Sequence, residues 1–478
     1  MEMSTGRTST GQGSSGPSRV TPAQLAAPRL GGPGRRFARP DRRAALTTGW
    51  VLMGLLGVTI LIGLLLQAPC LNGGYDLPRA GFRMCQSPVA LAMTGESLPE
   101  ASGRIASGLS GFAPLTYWFV VLLSGVGASA AEAMGILLVI NTLALAALGA
   151  GVIALARALG FDRPGPRSPG LSWVAVAFVS PVIVFSIGQS LDPVGVALAV
   201  WACALLAGDR TTGSLLAVGA LLAAAVFASP LGLIVLVGVL VTAARDRGQL
   251  VLVLAGSAIT FGLLTLADGR LTSRLTVWLN DPVDRGSIAS VLLAQGWGDE
   301  RTLATGLLVV WTMGTVALAA VAASAMLSTP TAEAVLGSDD QVTDRIALLR
   351  RLERGDERVH MRQMVLALTA LLGASVVLAP GSSTTMSLWL LPFAALAVRR
   401  LPVLGLWFVA ELGFAIAVPL ADVAAIDSSL GLDSPWVGLL TLLRFFALAV
   451  VVAVALDGLL RSGRKRAEGL SRSAAAAS

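Results

Sequence analysis

Charge is scarce in this sequence: 13% of its 478 residues are Asp, Glu, Lys or Arg, about half the share of an ordinary soluble domain. With 55% of the residues hydrophobic, so few charges cannot cover a water-facing surface. Histidine is limited to one residue and cysteine to three, which excludes a zinc site built from His and Cys clusters. Alternating apolar and polar positions are also missing, which excludes a transmembrane barrel. The net charge of +7 is almost all arginine. These arginines sit at the ends of apolar runs rather than on one face, so they fit the positive-inside rule and not a nucleic-acid partner.

What the chain does have is apolar runs. A span needs about 20 such residues, and in lipid the backbone of each must bond within itself, so the runs must be helices. The expected fold is all-α and polytopic, with about 12 transmembrane helices near 46–68, 132–155, 171–187, 190–207, 212–228, 230–244, 249–267, 302–327, 364–379, 387–399, 402–420 and 436–459. Arg157, Arg163 and Arg167, then Arg210, then Arg245 and Arg247, then the charged segment 328–363, then Arg399 and Arg400, mark cytoplasmic connections. Residues 1–44 form a Ser/Gly/Pro-rich basic tail that cannot bury a core and is expected to be disordered. It is too long to be the start of a cleavable signal peptide. Residues 45–460 form the membrane domain, and 461–478 a second basic tail. Both termini are then cytoplasmic, in the plasma membrane, with membrane lipids as partners; nothing names a protein partner.

The apolar run 112–128 is left over. Counting it as a span would move Arg157, Arg163 and Arg167 to the outer side. It reads as an embedded segment of the outer loop 69–131, with a thirteenth span as the alternative. Within 328–363, Ile346, Leu349 and Leu352 recur at helical spacing amid charges, which predicts a helix lying on the inner membrane surface. His360 reads there as a solvated residue. No strong internal repeat is visible, which weighs modestly against a secondary transporter.

The outer loop holds the candidate chemistry. Cys70 and Cys85 fall on the oxidising side and read as a disulfide, the alternative being two reduced thiols. Asp76, Glu96 and Glu100 supply carboxylates, and Arg79, Arg83 and Arg104 cations. A lipid-phosphate-dependent transferase needs both: a base for the acceptor hydroxyl and a cation for the leaving phosphate. Glu411 lies nine residues from the outer end of its run and Arg444 eight, about 13 and 12 Å deep at 1.5 Å per residue. Charges that deep are costly unless paired. Consecutive antiparallel helices at matched depth give a structural ion pair, ahead of a substrate site. Asp192 opens the fourth run on the outer side, and Trp389 reads as an interfacial aromatic anchor.

In order, these segments resemble the integral-membrane glycosyltransferases of the GT-C type, and more narrowly the family 87 mannosyltransferase-like bacterial proteins. The carrying stretches are PC and MCQSP after the first run, SIGQSLDPVG through AVFASPLGL, LNDPVDRGSIASVLL, SSTTMSLWLLPFAAL, and the helices bearing Glu411 and Arg444. The resemblance covers about 46–460. It implies an outer-face active site, a polyprenyl-phosphate sugar donor, and substrate or phosphate contacts at Arg79, Arg83, Asp192, Arg285 and Trp389. It also shows departures. Pro88 stands where the family has its loop Asp, Gln86 where it has Tyr, Ser229 where it has Lys, and Thr384, Thr385 and Met386 where it has Pro-Gln-Tyr. A proline cannot accept a proton. Either another carboxylate, with Asp76 as the nearest, serves as catalytic base, or the chain binds a lipid-linked glycan or scaffolds envelope assembly without transferring sugar. A transporter or flippase is the remaining class.

Overall fold

A computed structural model of the chain describes residues 42–75, 77–85, 87–94, 112–162, 170–208, 210–267, 286–327, 343–379 and 383–477. The basic tail 1–41 and the candidates Asp76, Glu96, Glu100, Arg104 and Arg285 lie outside these residues. Every regular element among the described residues is a helix.

In chain order the helices are α1 (Arg42–Gly73), α2 (Arg79–Phe82), α3 (Pro88–Thr94), α4 (Pro114–Gly125), α5 (Ala130–Ala158), α6 (Ala175–Phe178), α7 (Pro181–Ser186), α8 (Asp192–Leu206), α9 (Thr212–Ala228) and α10 (Leu231–Ala243). There follow α11 (Arg247–Ala267), α12 (Ile288–Ala294), α13 (Glu300–Leu327), α14 (Thr343–Leu378), α15 (Thr384–Ala397), α16 (Leu401–Ile426) and α17 (Ser434–Ala477). Seven of these, α1, α5, α11, α13, α14, α16 and α17, are long and apolar enough to cross a membrane. The chain is an all-α polytopic membrane protein.

The other expected spans are shorter, and proline explains several of them. Run 171–187 is not one span but a 3₁₀ turn (Leu171–Val174), α6 and α7. Ser180 is extended at φ −70° and ψ 135° before Pro181 and caps α7. That is the conformation a residue preceding proline prefers. Ser229, at φ −162° and ψ 142° before Pro230, separates α9 from α10. Helices α8, α10 and α15 have 15, 13 and 14 residues, about 20–23 Å at 1.5 Å per residue, less than the ~30 Å hydrocarbon core. The run 112–128 becomes α4, a helix of 12 residues.

The helix expected within the charged segment does not stand alone: it runs on without a break into the ninth expected span as α14, 36 residues long. Nothing between Thr343 and Leu378 breaks it, since that stretch contains no proline. His360 is half-buried in this helix rather than solvated on a loop.

Burial sorts the helices. The apolar window of α14 is 83% buried, against 6% for α13 and 17% for α11. The core therefore forms around α14 and α15, while α13 turns Val309, Val310, Met313 and Val316 outward. Helices α9 and α11 cross at small residues. A Cβ on Gly219 would strike the Val253 carbonyl, and one on Gly256 the Leu216 carbonyl. Ser257 Oγ donates to the Gly219 carbonyl at 3.1 Å across this contact. Such close backbone approach is how membrane helices associate without a hydrophobic driving force.

Candidate functional site at the loop end of the bundle

The first loop is a packed lid. Helix α1 carries Cys70 in its last turn, and Cys70 is bridged to Cys85 with Cα atoms 6.2 Å apart. Cys70, Tyr75, Ala80, Cys85, Val89 and Ala90 form a second apolar cluster with Val120 of α4, Met134 and Leu137 of α5, and Leu191. Burial pushes the Tyr75 phenol up to about 12.

Beneath this lid runs the turn 187–192, and five elements reach it. Ser87 Oγ donates to the Gly188 carbonyl at 2.7 Å. Asn141 of α5 donates to the carbonyls of Ile187 and Ser190, both at 2.8 Å. Thr116 of α4 accepts from the Leu191 N–H at 3.3 Å. Gln67 of α1 packs where a side chain on Gly188 would stand, 2.7 Å from that Cβ position. From the other side, Trp389 of α15 donates its indole N–H to Asp192 Oδ1 at 2.9 Å. Ser190 Oγ donates to Asp192 Oδ2 at 2.6 Å.

Trp389 is therefore not an interfacial anchor. Its side chain is 0% exposed and faces inward. Gly195 makes room for it: one turn after Asp192, its Cβ position lies 2.7 Å from the Trp389 ring. Asp192 is half-buried and opens α8, where the helix dipole favours an anion. A carboxylate offers about four acceptor positions, and the two hydrogen bonds leave some for a hydroxyl proton or a sugar. Three more buried polar atoms in this region, Gln67 Oε1, Tyr75 Oη and Asn141 Oδ1, lack a hydrogen-bond partner among the described residues. Buried polar groups are normally satisfied, by water or ligand where not by protein.

Glu411 and Arg444 meet on the opposite face of α15. Arg444 Nε donates to Glu411 Oε1 at 2.9 Å, with the side chains 0% and 2% exposed. The same oxygen accepts from Ser387 Oγ and from Trp407 Nε1 at 3.0 Å. The other end of Arg444 donates to the Ser383 carbonyl at 2.9 Å and to Ser387 Oγ at 3.0 Å, and its guanidinium lies 4.2 Å from the Phe414 centroid. All of these contacts are internal, which is the condition for a buried ion pair to persist.

The remaining candidates do not converge. Arg79 and Arg83 are exposed on the lid, and Arg83 donates to the Pro69 carbonyl at 3.2 Å. No hydrogen bond or ion pair joins either to Asp192 among the described residues. Pro88 is the first residue of α3, and Ser229 is a buried cap of α9.

No family model matches the chain, and no curated protein matches it. Among solved structures it is similar to the archaeal oligosaccharyltransferase AglB from Archaeoglobus fulgidus in complex with an inhibitory peptide and a dolichol-phosphate. There the identity is 12% and the TM-score 0.35 over 86% of this chain, which spans only 56% of AglB. It is also similar to ArnT from Cupriavidus metallidurans bound to undecaprenyl phosphate, at 14% identity and TM-score 0.35, covering 87% of this chain and 78% of that one. The apo state of ArnT gives 15% identity and TM-score 0.33, covering 88% and 78%. Likenesses this distant carry no argument about chemistry.

Sequence reasoning missed Ser87, Thr116, Asn141, Gln67 and Ser190 around the turn, and Ser387 and Trp407 around the ion pair. A signal existed for one of these positions: Trp407 precedes Glu411 by four residues, the spacing of helix neighbours. The hydroxyls carried none, because serine and threonine are common in apolar helices.

Proposed function

We propose that the chain is a GT-C-like membrane glycosyltransferase that takes a polyprenyl-phosphate sugar beneath its bridged first loop, on the outer face of the plasma membrane. Both termini are then cytoplasmic. One observation carries the reading. Three separate stretches of the family resemblance, CQSP, IGQSLDP and SLWLLP, meet at one turn, through Ser87 to Gly188 and through Trp389 to Asp192. Nothing in apolar periodicity would make those stretches converge. The donor is expected to be of the mannosyl-phosphate type, as the resemblance implies.

In this reading Asp192 orients a hydroxyl of the donor or acceptor, and Asp76, next to the buried Tyr75, is the first choice for the base. The exposed Arg79 and Arg83 would meet the lipid phosphate, and Arg285 is a further cation for it. Transfer by the purified full-length protein from polyprenyl-phosphate mannose tests this. Asp76→Asn is expected to lower turnover about 10²–10⁴-fold, the usual cost of removing a general base.

A second reading is favoured by Pro88, which supplies no base at the family's position, and by the engagement of both Asp192 oxygens. The protein then binds the lipid-linked sugar without transferring it, as a scaffold in envelope assembly. Binding of the donor with no transfer to any acceptor supports this second reading. Absence of both binding and transfer rejects the two together.

A further inference from the structure

Asn141 sits in the middle of α5 with no exposed surface. It lies eleven residues past Ala130, about 16 Å along the helix at 1.5 Å per residue. The other buried residues of α5 are apolar or glycine, and a buried amide is costly unless it is hydrogen-bonded. Asn141 Nδ2 donates to two carbonyls of one turn, those of Ile187 and Ser190, each at 2.8 Å. The break between α7 and α8 leaves those carbonyls to it. In a continuous helix they would take the N–H groups of Leu191 and Val194, four residues on. Here the Leu191 N–H goes to Thr116 Oγ1, and the Val194 N–H goes to the Leu191 carbonyl. An amide nitrogen offers two donors, so one side chain closes both ends of the turn.

We infer that Asn141 is the positioning residue of the Asp192 site, and that this site reads the sugar of a lipid-linked donor rather than its phosphate. The inference deepens the glycosyl reading and rests on it. Asn141 acts through Ser190. Ser190 Oγ donates to Asp192 Oδ2 at 2.6 Å and accepts the Asp192 N–H at 3.2 Å. The backbone that Asn141 holds therefore carries the hydroxyl that aims the carboxylate. Trp389 fixes the other oxygen, Oδ1, at 2.9 Å. With a donor on each oxygen from a different element, the carboxylate has little freedom to turn, and its remaining lone pairs keep their direction. Acceptors held in this way suit the hydroxyl protons of a sugar. The phosphodiester of such a lipid brings acceptors and negative charge, which Asp192 repels. A shift of the turn by about 1 Å would move the lone pairs off a bound hydroxyl, and misplacements of that size cost up to about 10²-fold.

The test uses the full-length protein in detergent. Affinities for polyprenyl-phosphate mannose and for sugar-free polyprenyl phosphate are measured separately, below the unfolding temperature of each variant. Wild type is expected to prefer the sugar-bearing lipid. Asn141→Leu is expected to lower that preference about tenfold or more, while binding the sugar-free lipid as wild type does. Ser257→Ala is the control. It also removes a buried bond to a backbone carbonyl, the 3.1 Å bond to Gly219. It is expected to lower the unfolding temperature without changing the preference. A purely structural Asn141 would behave as Ser257 does, so an unchanged preference in Asn141→Leu overturns the inference. Equal weakening of both lipids overturns it too, as does loss of the preference in Ser257→Ala. If Asn141→Leu does not fold, Ser190→Ala carries the same test, because it keeps the backbone carbonyl and frees Asp192 Oδ2. Wild type that binds both lipids equally overturns the inference and leaves a lipid-phosphate site standing. Wild type that binds neither rejects the glycosyl reading and the inference together.

Discussion

Asp192 and Trp389 are 197 residues apart in sequence and share a hydrogen bond of 2.9 Å. The bond ties the start of α8 to the middle of α15 directly below the bridged first loop, and Gly195 leaves the space the indole fills. Trp389→Phe keeps the packing and removes the donor. A hydrogen bond to a charged group contributes about 1.5–3 kcal/mol, so thermal unfolding in detergent is expected to show a loss of that order. Gly195→Val is expected to cost more, because the new methyls occupy the ring's place. Stability equal to wild type in both variants would show that the contact does not form.

The Glu411–Arg444 pair is expected to behave as a unit. Removing one partner leaves an uncompensated buried charge, a loss of about 3–5 kcal/mol. Glu411→Gln and Arg444→Met should each unfold at markedly lower temperature. The double variant should recover much of the loss, because a buried pair replaced by apolar groups is often neutral. Three equal melting temperatures would remove the pair from the account.

Cys70 and Cys85 close a loop with a sequence separation of 15, for which the chain-entropy model gives about 3 kcal/mol. Both thiols should resist labelling in intact cells until reductant is added, and reduction should lower the unfolding temperature. Reporter fusions after Arg247, Arg354 and Arg464 are expected to report the cytoplasm, and fusions within 69–110 and 268–301 the outside. A cytoplasmic signal from 268–301 would reverse the orientation.

Tyr75 gives a pH dependence. Burial raises its phenol from 10.0 to about 12, so the unfolded chain loses this proton at lower pH than the folded one. The stability from keeping Tyr75 neutral is complete below pH 10.0 and is lost as pH rises through about 12. Unfolding temperatures of wild type should fall across that window more steeply than those of Tyr75→Phe. Parallel curves would mean that the phenol is solvated in the folded state. The only other tyrosine, Tyr117, makes ultraviolet titration of the pair interpretable.

Much of the architecture was legible because lipid imposes strong rules. Apolar runs must be helices, and the seven long helices all coincide with expected spans. The depth argument for Glu411 and Arg444 worked from residue counts alone, because consecutive antiparallel helices share one axis direction. What failed was local. Pro181 breaks the run 171–187 into short pieces that hydropathy cannot see. The helix at 343–363 continues into a span because no breaker lies between, although its charges suggested a separate surface helix. Trp389 departs from the expectation because aromatic residues near span ends usually sit at the interface, whereas tertiary packing, with Gly195 leaving room for the ring, buries this one. The hydroxyls and amides around 187–192 were invisible, since their partners are backbone carbonyls that no side-chain pattern announces.

The most direct test of the central claim is crosslinking of a photoactivatable polyprenyl-phosphate sugar to the purified full-length protein, with the labelled peptides mapped by mass spectrometry. Label is expected on residues 87–94, 187–195 or 383–389. It should be suppressed by unlabelled polyprenyl phosphate and reduced in Asp192→Asn. Label spread over the outward faces of α11 and α13, unaffected by competitor or by the Asp192 substitution, would contradict a lipid-linked sugar site beneath the first loop.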